Sequence, residues 1–246
     1  MSVVAAVALC SPESGRPVDG FDPITGGVPR KHLKTMTRAV QLGVAAVTAV
    51  VRAYPGFSAV DPSRRGLYVG ASPQSGDAED LAPAIAATGP TLDITAFALR
   101  GVPLVPPLWL VKGLSNNVLG YASAQHDLRA DNGNWCDGRL GGAIAVASAV
   151  HAVAEGRVDL AIAGGADALL GAEAILDVPT GEAAAFLLFV GGTVGRWRAE
   201  AGLPAEEGAW DEAGEIGAAA VPVRLARAWL VGEPCNAGGT RLFLDE

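Results

Sequence analysis

The sequence is poor in the residues that build metal and redox sites. Among 246 residues it has three cysteines and three histidines. The cysteines lie at positions 10, 136 and 235 and the histidines at 32, 126 and 151, without the spacing of a metal-binding motif. An odd number of cysteines without a secretory signal indicates a reducing compartment. We therefore expect no metal site and a cytoplasmic location.

Positive charge and long apolar runs are also scarce. The 18 basic and 26 acidic residues give a net charge of -8, which provides no basic field for nucleic acid or an anionic membrane. No uncharged apolar run reaches the roughly 18 residues that span a bilayer, and the apolar N-terminus is predicted to be a buried strand. The common phosphate, dinucleotide, serine-hydrolase and zinc-protease motifs are missing. The composition predicts a soluble protein that has no nucleic acid partner, no membrane span and no cofactor.

Aromatic residues make up only 6% of a chain that is 50% hydrophobic, so its core must consist mostly of Ala, Val and Leu. The densest small-residue stretch is residues 135–165. Within it, Leu140 to Ala154 has small residues on every side, which predicts a helix enclosed by neighbours. Asp137 is the predicted N-cap of this helix. A buried strand, Val158 to Ala163, is predicted to follow and to end on two glycines.

This stretch resembles the N-terminal half of the β-ketoacyl synthases, which are members of the thiolase fold. In that family a Cys-x-x-Gly turn opens the central helix, and a strand ending in Ala-Gly-Gly follows it. The nucleophilic Cys lies seventeen positions before the Gly that ends the helix, which is Gly156 in this sequence. That spacing places Arg139 at the nucleophile's position and Gly142 at the glycine of the turn. Gly164 and Gly165 match the Ala-Gly-Gly end of the strand.

A second motif supports the same register. The family carries Asn-x-x-x-Gly-x-x-Ser with its Asn twenty-three positions before the nucleophile. Asn116, Gly120 and Ser123 fit this pattern with Arg139 as the endpoint, and no gap is needed. We expect Asn116 and Ser123 to bond local backbone.

The register leaves the chain without an identified catalytic residue. The guanidinium of Arg139 stays protonated and cannot accept an acyl group. Cys136 is the alternative thiol, but it lies three residues early and beside Asp137. A cation is disfavoured at a helix N-terminus, so we expect Asp137 to pair with Arg139.

The rest of the chain extends the resemblance as far as residue 190. Thr37 to Tyr54 has apolar residues at helical spacing and predicts an amphipathic helix. The resemblance implies a helix from Leu108 to Ala124 and a strand in the stretch Gly-Glu-Ala-Ala-Ala-Phe-Leu-Leu-Phe that begins at Gly181. Residues 1–190 are thus interpreted as a β-ketoacyl synthase N-terminal-like domain.

Residues 191–246 are predicted to form an irregular C-terminal extension, with one helix (Val223 to Trp229) and a final strand (Thr240 to Leu244). The family's catalytic histidines belong to a second half, and no histidine occurs after His151. The predicted fold is therefore α/β, a thiolase-like half with a three-layer arrangement of a mixed sheet and helices on both faces, truncated relative to a complete ketosynthase. Either the extension or another chain must cover the central helix.

Three functions remain open. The first is a catalytically degenerate, chain-length-factor-like subunit that pairs with a ketosynthase in fatty-acid or polyketide biosynthesis, as a heterodimer or homodimer, with an acyl carrier protein as a further partner. The second is an active acyltransferase of the β-ketoacyl synthase type that uses Cys136 or a partner's residue. The third is a module in which Arg139 binds an anion or acyl ligand.

Overall fold

Eight strands and their order define the architecture. The structure, a computed structural model, describes residues 1–72, 78–91, 93–202 and 214–245. Within them the strands are β1 (Ser2–Cys10), β2 (Arg65–Ala71), β3 (Asn132–Trp135), β4 (Leu160–Ala168), β5 (Glu182–Val190), β6 (Trp197–Ala201), β7 (Cys235–Ala237) and β8 (Thr240–Leu244). They form one sheet in the order β3-β2-β4-β5-β1-β6-β8-β7. β3, β2 and β4 are parallel and the other neighbours are antiparallel, so the sheet is mixed.

Helices cover both faces of this sheet. The helices of the described residues are α1 (Arg38–Ala53), α2 (Ala78–Ala86), α3 (Ile94–Ala96), α4 (Trp109–Lys112), α5 (Asn117–His126), α6 (Gly138–Ala154), α7 (Glu173–Leu176) and α8 (Ala220–Val231). α1 and α5 pack on one face, and α6 and α8 pack on the other. The predicted three-layer α/β fold is confirmed. None of the helices in the described ranges is long and apolar enough to cross a membrane.

Strand alternation sends side chains into the two layers. Along β5, Phe186 and Leu188 join the layer of α1, while Leu187 and Phe189 join the layer of α6. All nine residues of β5 are buried, as expected for a strand with helices on both sides. The predicted helix over Thr37 to Tyr54 is α1, and the Thr37 hydroxyl accepts a hydrogen bond from the amide of Val40 at 3.4 Å.

Small residues bring α6 close to the sheet. A Cβ added to Gly70 of β2 would lie 2.4 Å from the amide nitrogen of Gly142, so the helix and the strand meet backbone to backbone. The helix begins at Gly138, as predicted. The following strand is longer than predicted, because β4 continues through Gly164 and Gly165 to Ala168 while pairing with β2 and β5.

The single helix predicted from Leu108 to Ala124 is wrong. The chain forms α4, turns at Gly113, and starts again as α5 at Asn117. The side chain of Asn117 donates hydrogen bonds to the carbonyl oxygens of Val111 (2.7 Å) and Lys112 (3.1 Å). These bonds satisfy the end of α4 and fix the break.

The described part of residues 191–246 continues the main sheet and is not irregular. The predicted helix lies within α8 and the predicted final strand is β8, whereas β6 and β7 were not predicted. β6 joins β1 through the pair Ser2–Arg198, and α8 packs against α6. The C-terminal part of the chain thus packs on the central helix, as one of the two predicted arrangements requires. Trp210 and residues 73–77 of the polar stretch Ser-Pro-Gln-Ser-Gly-Asp, which the sequence marks as a turn, lie outside the described residues.

Candidate functional site

The Asn116 motif lies on the opposite face of the sheet from Arg139. Gly120 and Ser123 belong to α5, which packs on α1, whereas Arg139 belongs to α6. Asn116 occupies the N-cap position of α5, but its side chain makes no capping hydrogen bond. The carbonyl oxygen of Ser123 accepts the amide of Leu128 at 3.1 Å where the helix ends. The motif therefore shapes α5 and does not contact the first turn of α6.

The turn between β3 and α6 is the position that the resemblance assigns to a nucleophile. β3 ends at Trp135, Cys136 and Asp137 follow, and Gly138 has a φ of +48°, which favours glycine. The predicted N-cap role of Asp137 is wrong. This residue occupies the N-cap position, but its φ of −135° and ψ of 51° lie outside the usual conformation of a cap, and its side chain makes no capping hydrogen bond.

Arg139, the second residue of α6, is paired with Glu215. Its Nε and Nη2 donate to one carboxylate oxygen of Glu215 at 2.9 and 2.6 Å. Both side chains are only 14% exposed. A carboxylate thus offsets the cation near the helix N-terminus. The sequence suggested that Asp137 would supply this carboxylate, but Glu215 supplies it.

Glu215 is itself held on several sides. Its second carboxylate oxygen accepts the amide of Gly217 at 2.7 Å. Its backbone amide donates to Pro179 at 2.7 Å, and its carbonyl accepts the amide of Gly181 at 3.0 Å. This residue therefore ties the chain before α8 both to α6 and to the chain before β5.

Asp167 provides a second tie at the end of β4. Its carboxylate accepts the amides of Ala218 at 2.6 Å and Ser72 at 3.2 Å. Its complete burial raises the carboxyl pKa to about 6, although these hydrogen bonds act in the opposite direction. A Cβ on Gly217, whose φ is +52°, would lie 2.1 Å from a carboxylate oxygen of Asp167, so only glycine fits there.

Residues 214–219, which we call the closing segment, lie against the N-terminal half of α6. A Cβ added to Gly142 would lie 1.9 Å from the carbonyl oxygen of Ala218, and one added to Gly165 would lie 2.1 Å from the same atom. Gly164 points the other way, since its added Cβ would lie 1.9 Å from the carbonyl oxygen of Ala185 in β5. Gly142 and Gly165 thus permit the chain to close over this position.

Cys136 lies outside this closed position. Its side chain is exposed, and its sulfur accepts a hydrogen bond from the Nδ2 of Asn134 at 3.3 Å. Two surface cavities, of about 530 and 280 Å³, are lined by other residues, so neither contains Cys136, Arg139 or Asp167. The thiol faces the surface and does not face an enclosed tunnel.

The histidines do not join this site. His126 is largely buried, with its Nε2 2.9 Å from the hydroxyl of Thr48, and loss of solvent lowers its pKa to about 4, with a smaller effect from Arg52. His151 is exposed, although the sequence suggested burial inside the helix. Across the part of the chain that the structure describes, no group of His, Cys, Asp and Glu side chains could hold a metal ion.

A basic surface was missed in the sequence. Arg30, Lys31 and Lys34 are exposed on a 3-10 turn, Arg30–Thr35, that precedes α1. The larger cavity, about 530 Å³, opens beside it and is lined by Lys31, His32, Tyr121 and neighbouring residues of α5. The run Arg-Lys-His-Leu-Lys in a chain of net charge -8 was the signal that could have located it.

The sequence matches no protein-family model, and no curated protein matches it. The fold, in contrast, matches solved structures at 12 to 18% identity. One is a complex of the ketosynthase ApeO with its chain length factor ApeC from Xenorhabdus doucetiae, with a TM-score of 0.58 at 12% identity and coverage of 100% of each chain.

Two further matches come from related assemblies. The ishigamide ketosynthase/chain length factor has a TM-score of 0.58 at 18% identity over 76% of this chain. The AntDE:AntF complex of a type II polyketide synthase acyl carrier protein with its ketosynthase has a TM-score of 0.62 at 16% identity over 77% of this chain. This chain spans 57% and 62% of the lengths of those two chains. The protein therefore has the ketosynthase-like, chain-length-factor-like fold that the sequence predicted.

Proposed function

We propose that this chain is a catalytically inactive subunit of the chain-length-factor type that acts with a ketosynthase in fatty-acid or polyketide biosynthesis. The observation that carries the proposal is the ion pair between Arg139 of α6 and Glu215 of the closing segment. A guanidinium cannot take up an acyl group, and here it is already engaged by a carboxylate. The position at which a ketosynthase would hold its nucleophile is therefore filled by the chain itself.

The contact between the closing segment and α6 supports the same conclusion. The first turn of a helix can stabilise an anion, because its amides are free and its dipole is positive. In this chain Arg139 in that turn is paired with Glu215, and the carbonyl oxygen of Ala218 packs on Gly142, the fifth residue of the helix, so the closing segment lies against this end of α6.

The two alternative functions have less support. Acyl transfer through Cys136 would take place at an exposed thiol that lines neither of the two cavities described above. Anion binding by Arg139 would have to displace Glu215, which contacts it at 2.6 Å. Incubation with acyl carrier protein thioesters, followed by mass spectrometry of the peptide that contains Cys136, tests the covalent route, and we expect no adduct.

The decisive experiment is co-expression with a ketosynthase from the same genome. We expect a stable complex, and we expect the length of the ketosynthase product to change when this chain is present. A chain that neither binds that ketosynthase nor alters its product would refute the proposal.

An acyl carrier protein is the further partner that we propose, and the basic surface supports it. Opposite charge steers acidic partners and raises association rates, so exposed Arg30, Lys31 and Lys34 would attract an acidic carrier protein. We expect the double substitution Lys31→Glu and Lys34→Glu to weaken carrier binding to the complex at least fivefold at low salt. Arg196→Glu, an exposed change far along the chain, is the matched control and should have little effect.

A further inference from the structure

A groove runs along one face of α5, and we call it the α5 groove. It is the cavity of about 530 Å³, and its helical side is formed by Asn117, Gly120, Tyr121, Ala124 and Gln125. Their spacing of three and four residues places them on one face of the helix, which rises about 12 Å from the first to the last. A Cβ added to Gly120 would meet no atom within 4 Å, so the floor of the groove is open. The volume lies within the range of small-molecule sites, about 300–1,000 Å³.

The opposite wall of the α5 groove belongs to the turn Arg30–Thr35 and the residue before it. The carbonyl oxygen of Pro29 accepts the amide of His32 at 2.9 Å, and this tight turn brings Pro29, Lys31 and His32 to the groove. Lys31 is exposed, and it forms no hydrogen bond or ion pair with any residue that the structure describes. Its ammonium group is therefore available to a negatively charged ligand.

Two rings form an aromatic corner inside the groove. The ring centroids of His32 and Tyr121 lie 5.2 Å apart, and their planes are inclined by 50°. The position of Tyr121 is fixed, because its hydroxyl lies 2.6 Å from the hydroxyl of Thr35. A flat ring can stack on such a corner, and stacking tolerates different ring chemistries. Because Lys31 precedes His32 directly, one small molecule can contact the corner with a ring and Lys31 with an acidic group.

Two side-chain amides of α5 have acceptor oxygens that are not used. Asn117 is only 8% exposed; its Nδ2 donates to two carbonyl oxygens of α4, but its Oδ1 has no partner among the described residues. The Nε2 of Gln125 donates to the carbonyl oxygen of Gly27 and the hydroxyl of Thr48, both at 3.0 Å, while its Oε1 is buried without a partner. An acceptor left unpaired in a buried position is costly, and a donor on a ligand removes that cost. These oxygens favour a ligand that carries hydroxyl or amino groups as well as a negative charge.

We propose that the α5 groove binds a small molecule in which a flat aromatic ring is joined to an acidic group, the chemistry shared by nucleoside monophosphates and aromatic carboxylates. The ring stacks on Tyr121 and His32, the acidic group pairs with Lys31, and a hydroxyl or amino group donates to Asn117. A nucleotide matches the length of the groove and supplies these donors. This site goes beyond the proposed function, because it lies on the opposite face of the sheet from Arg139 and needs no ketosynthase.

Isothermal titration calorimetry on the full chain at low salt tests the site with two probes, adenosine 5′-monophosphate and indole-3-acetate. Two comparison compounds each lack one feature: adenosine has no charge, and ribose 5-phosphate has no aromatic ring. We expect adenosine 5′-monophosphate to bind with a Kd about tenfold lower than that of either comparison compound. Its binding should weaken as salt is added, because the contact with Lys31 is exposed.

Matched variants locate the binding site. Lys31→Ala should raise the Kd for adenosine 5′-monophosphate about fivefold, whereas Lys34→Ala, exposed on the same turn but not part of the groove lining, should change it less than about twofold. Tyr121→Leu removes the ring and should raise the Kd about fivefold, whereas Tyr121→Phe keeps the ring and should bind like the wild type. Circular dichroism verifies that each variant is folded.

The outcomes separate this site from the basic surface as a whole. Equal losses in Lys31→Ala and Lys34→Ala would indicate a diffuse attraction for anions and would overturn the proposal. Equal binding of ribose 5-phosphate and adenosine 5′-monophosphate, or no effect of Tyr121→Leu, would do the same. Binding of only one probe, with the expected effect of Lys31→Ala, supports the site and identifies that probe's class as the ligand. If neither probe binds, the proposal fails, and the proposed function stands because no ketosynthase takes part in the measurement.

Discussion

Replacing Arg139 with methionine tests whether its ion pair with Glu215 holds the closing segment in place. Breaking a fully buried pair costs about 3–5 kcal/mol, whereas an exposed pair contributes about 0.2–1 kcal/mol. At 14% exposure on both sides, this pair is closer to the buried limit. We therefore expect Arg139→Met to lower the free energy of unfolding by about 2–3 kcal/mol.

Urea unfolding followed by tryptophan fluorescence measures this loss. In a chain of this length it should lower Tm by roughly 4–12 °C. A double-mutant cycle with Glu215→Gln isolates the pair, because glutamine keeps an acceptor for the amide of Gly217. We expect a coupling energy of about 2 kcal/mol between the two positions.

A small change in the free energy of unfolding would contradict this prediction. If Arg139→Met unfolds within about 0.5 kcal/mol of the wild type, as a typical surface change does, the pair does not secure the segment. A coupling energy near zero would have the same meaning. The closure would then depend on the hydrogen bond from Ala218 to Asp167 and on packing, and the ion pair could not be the reason for an arginine at this position.

Three further predictions concern stability. Gly142→Ala should destabilise the fold by about 3 kcal/mol, because the added Cβ would lie 1.9 Å from the carbonyl oxygen of Ala218. The control is Gly120→Ala, whose added Cβ has no atom within 4 Å; in thermal melts this change should be neutral or stabilising by about 0.5–1 kcal/mol. The carboxyl pKa of Asp167 is about 6 in the folded protein and near 4 in the unfolded chain, so its contribution to stability falls by up to about 3 kcal/mol as the pH rises from 4 to 6. Asp167→Asn should remove this fall, which urea midpoints measured at several pH values would show. His126 should give a pH dependence of the opposite sign, because its pKa is lowered to about 4 in the folded protein. Its contribution to stability is lost as the pH falls from about 6.5 to 4, and His126→Gln should remove this dependence. Unchanged pH profiles in these variants would contradict the assigned pKa shifts.

The residues around the central helix predicted its position well. Taking Asp137 as the residue before the helix placed the start of α6 at Gly138, although the Asp137 side chain does not cap it. The all-small composition of Leu140 to Ala154 likewise predicted a helix enclosed by neighbours, because only such residues allow contacts as close as that between Gly70 and Gly142.

The partner of Arg139 could not be predicted in this way. Glu215 lies 76 residues later, in a stretch without hydrophobic periodicity, and its role depends on a long-range closure. The nearest acidic residue, Asp137, was the reasonable local choice, but its backbone conformation does not allow it to cap the helix.

The short strands β6 and β7 could not be predicted from the sequence for a related reason. β6 has only five residues, among them Arg198 and Glu200, and β7 has three, so neither has enough alternation to indicate a strand. Both exist because β1 and β8 offer them an edge. The helix over Leu108 to Ala124 was implied by the resemblance, which gave no sign that the chain turns at Gly113 and starts again at Asn117.

The place of β1 in the interior of the sheet governs how this chain can be synthesised and folded. Its residue Ser2 pairs with Val190 and Arg198, so the first strand leaves the ribosome long before either of its neighbours exists. Pairings so distant along the chain slow folding, and an unpaired apolar strand is a template for aggregation in the meantime. The nascent polypeptide is therefore expected to need a chaperone to shield β1 until translation has passed β5.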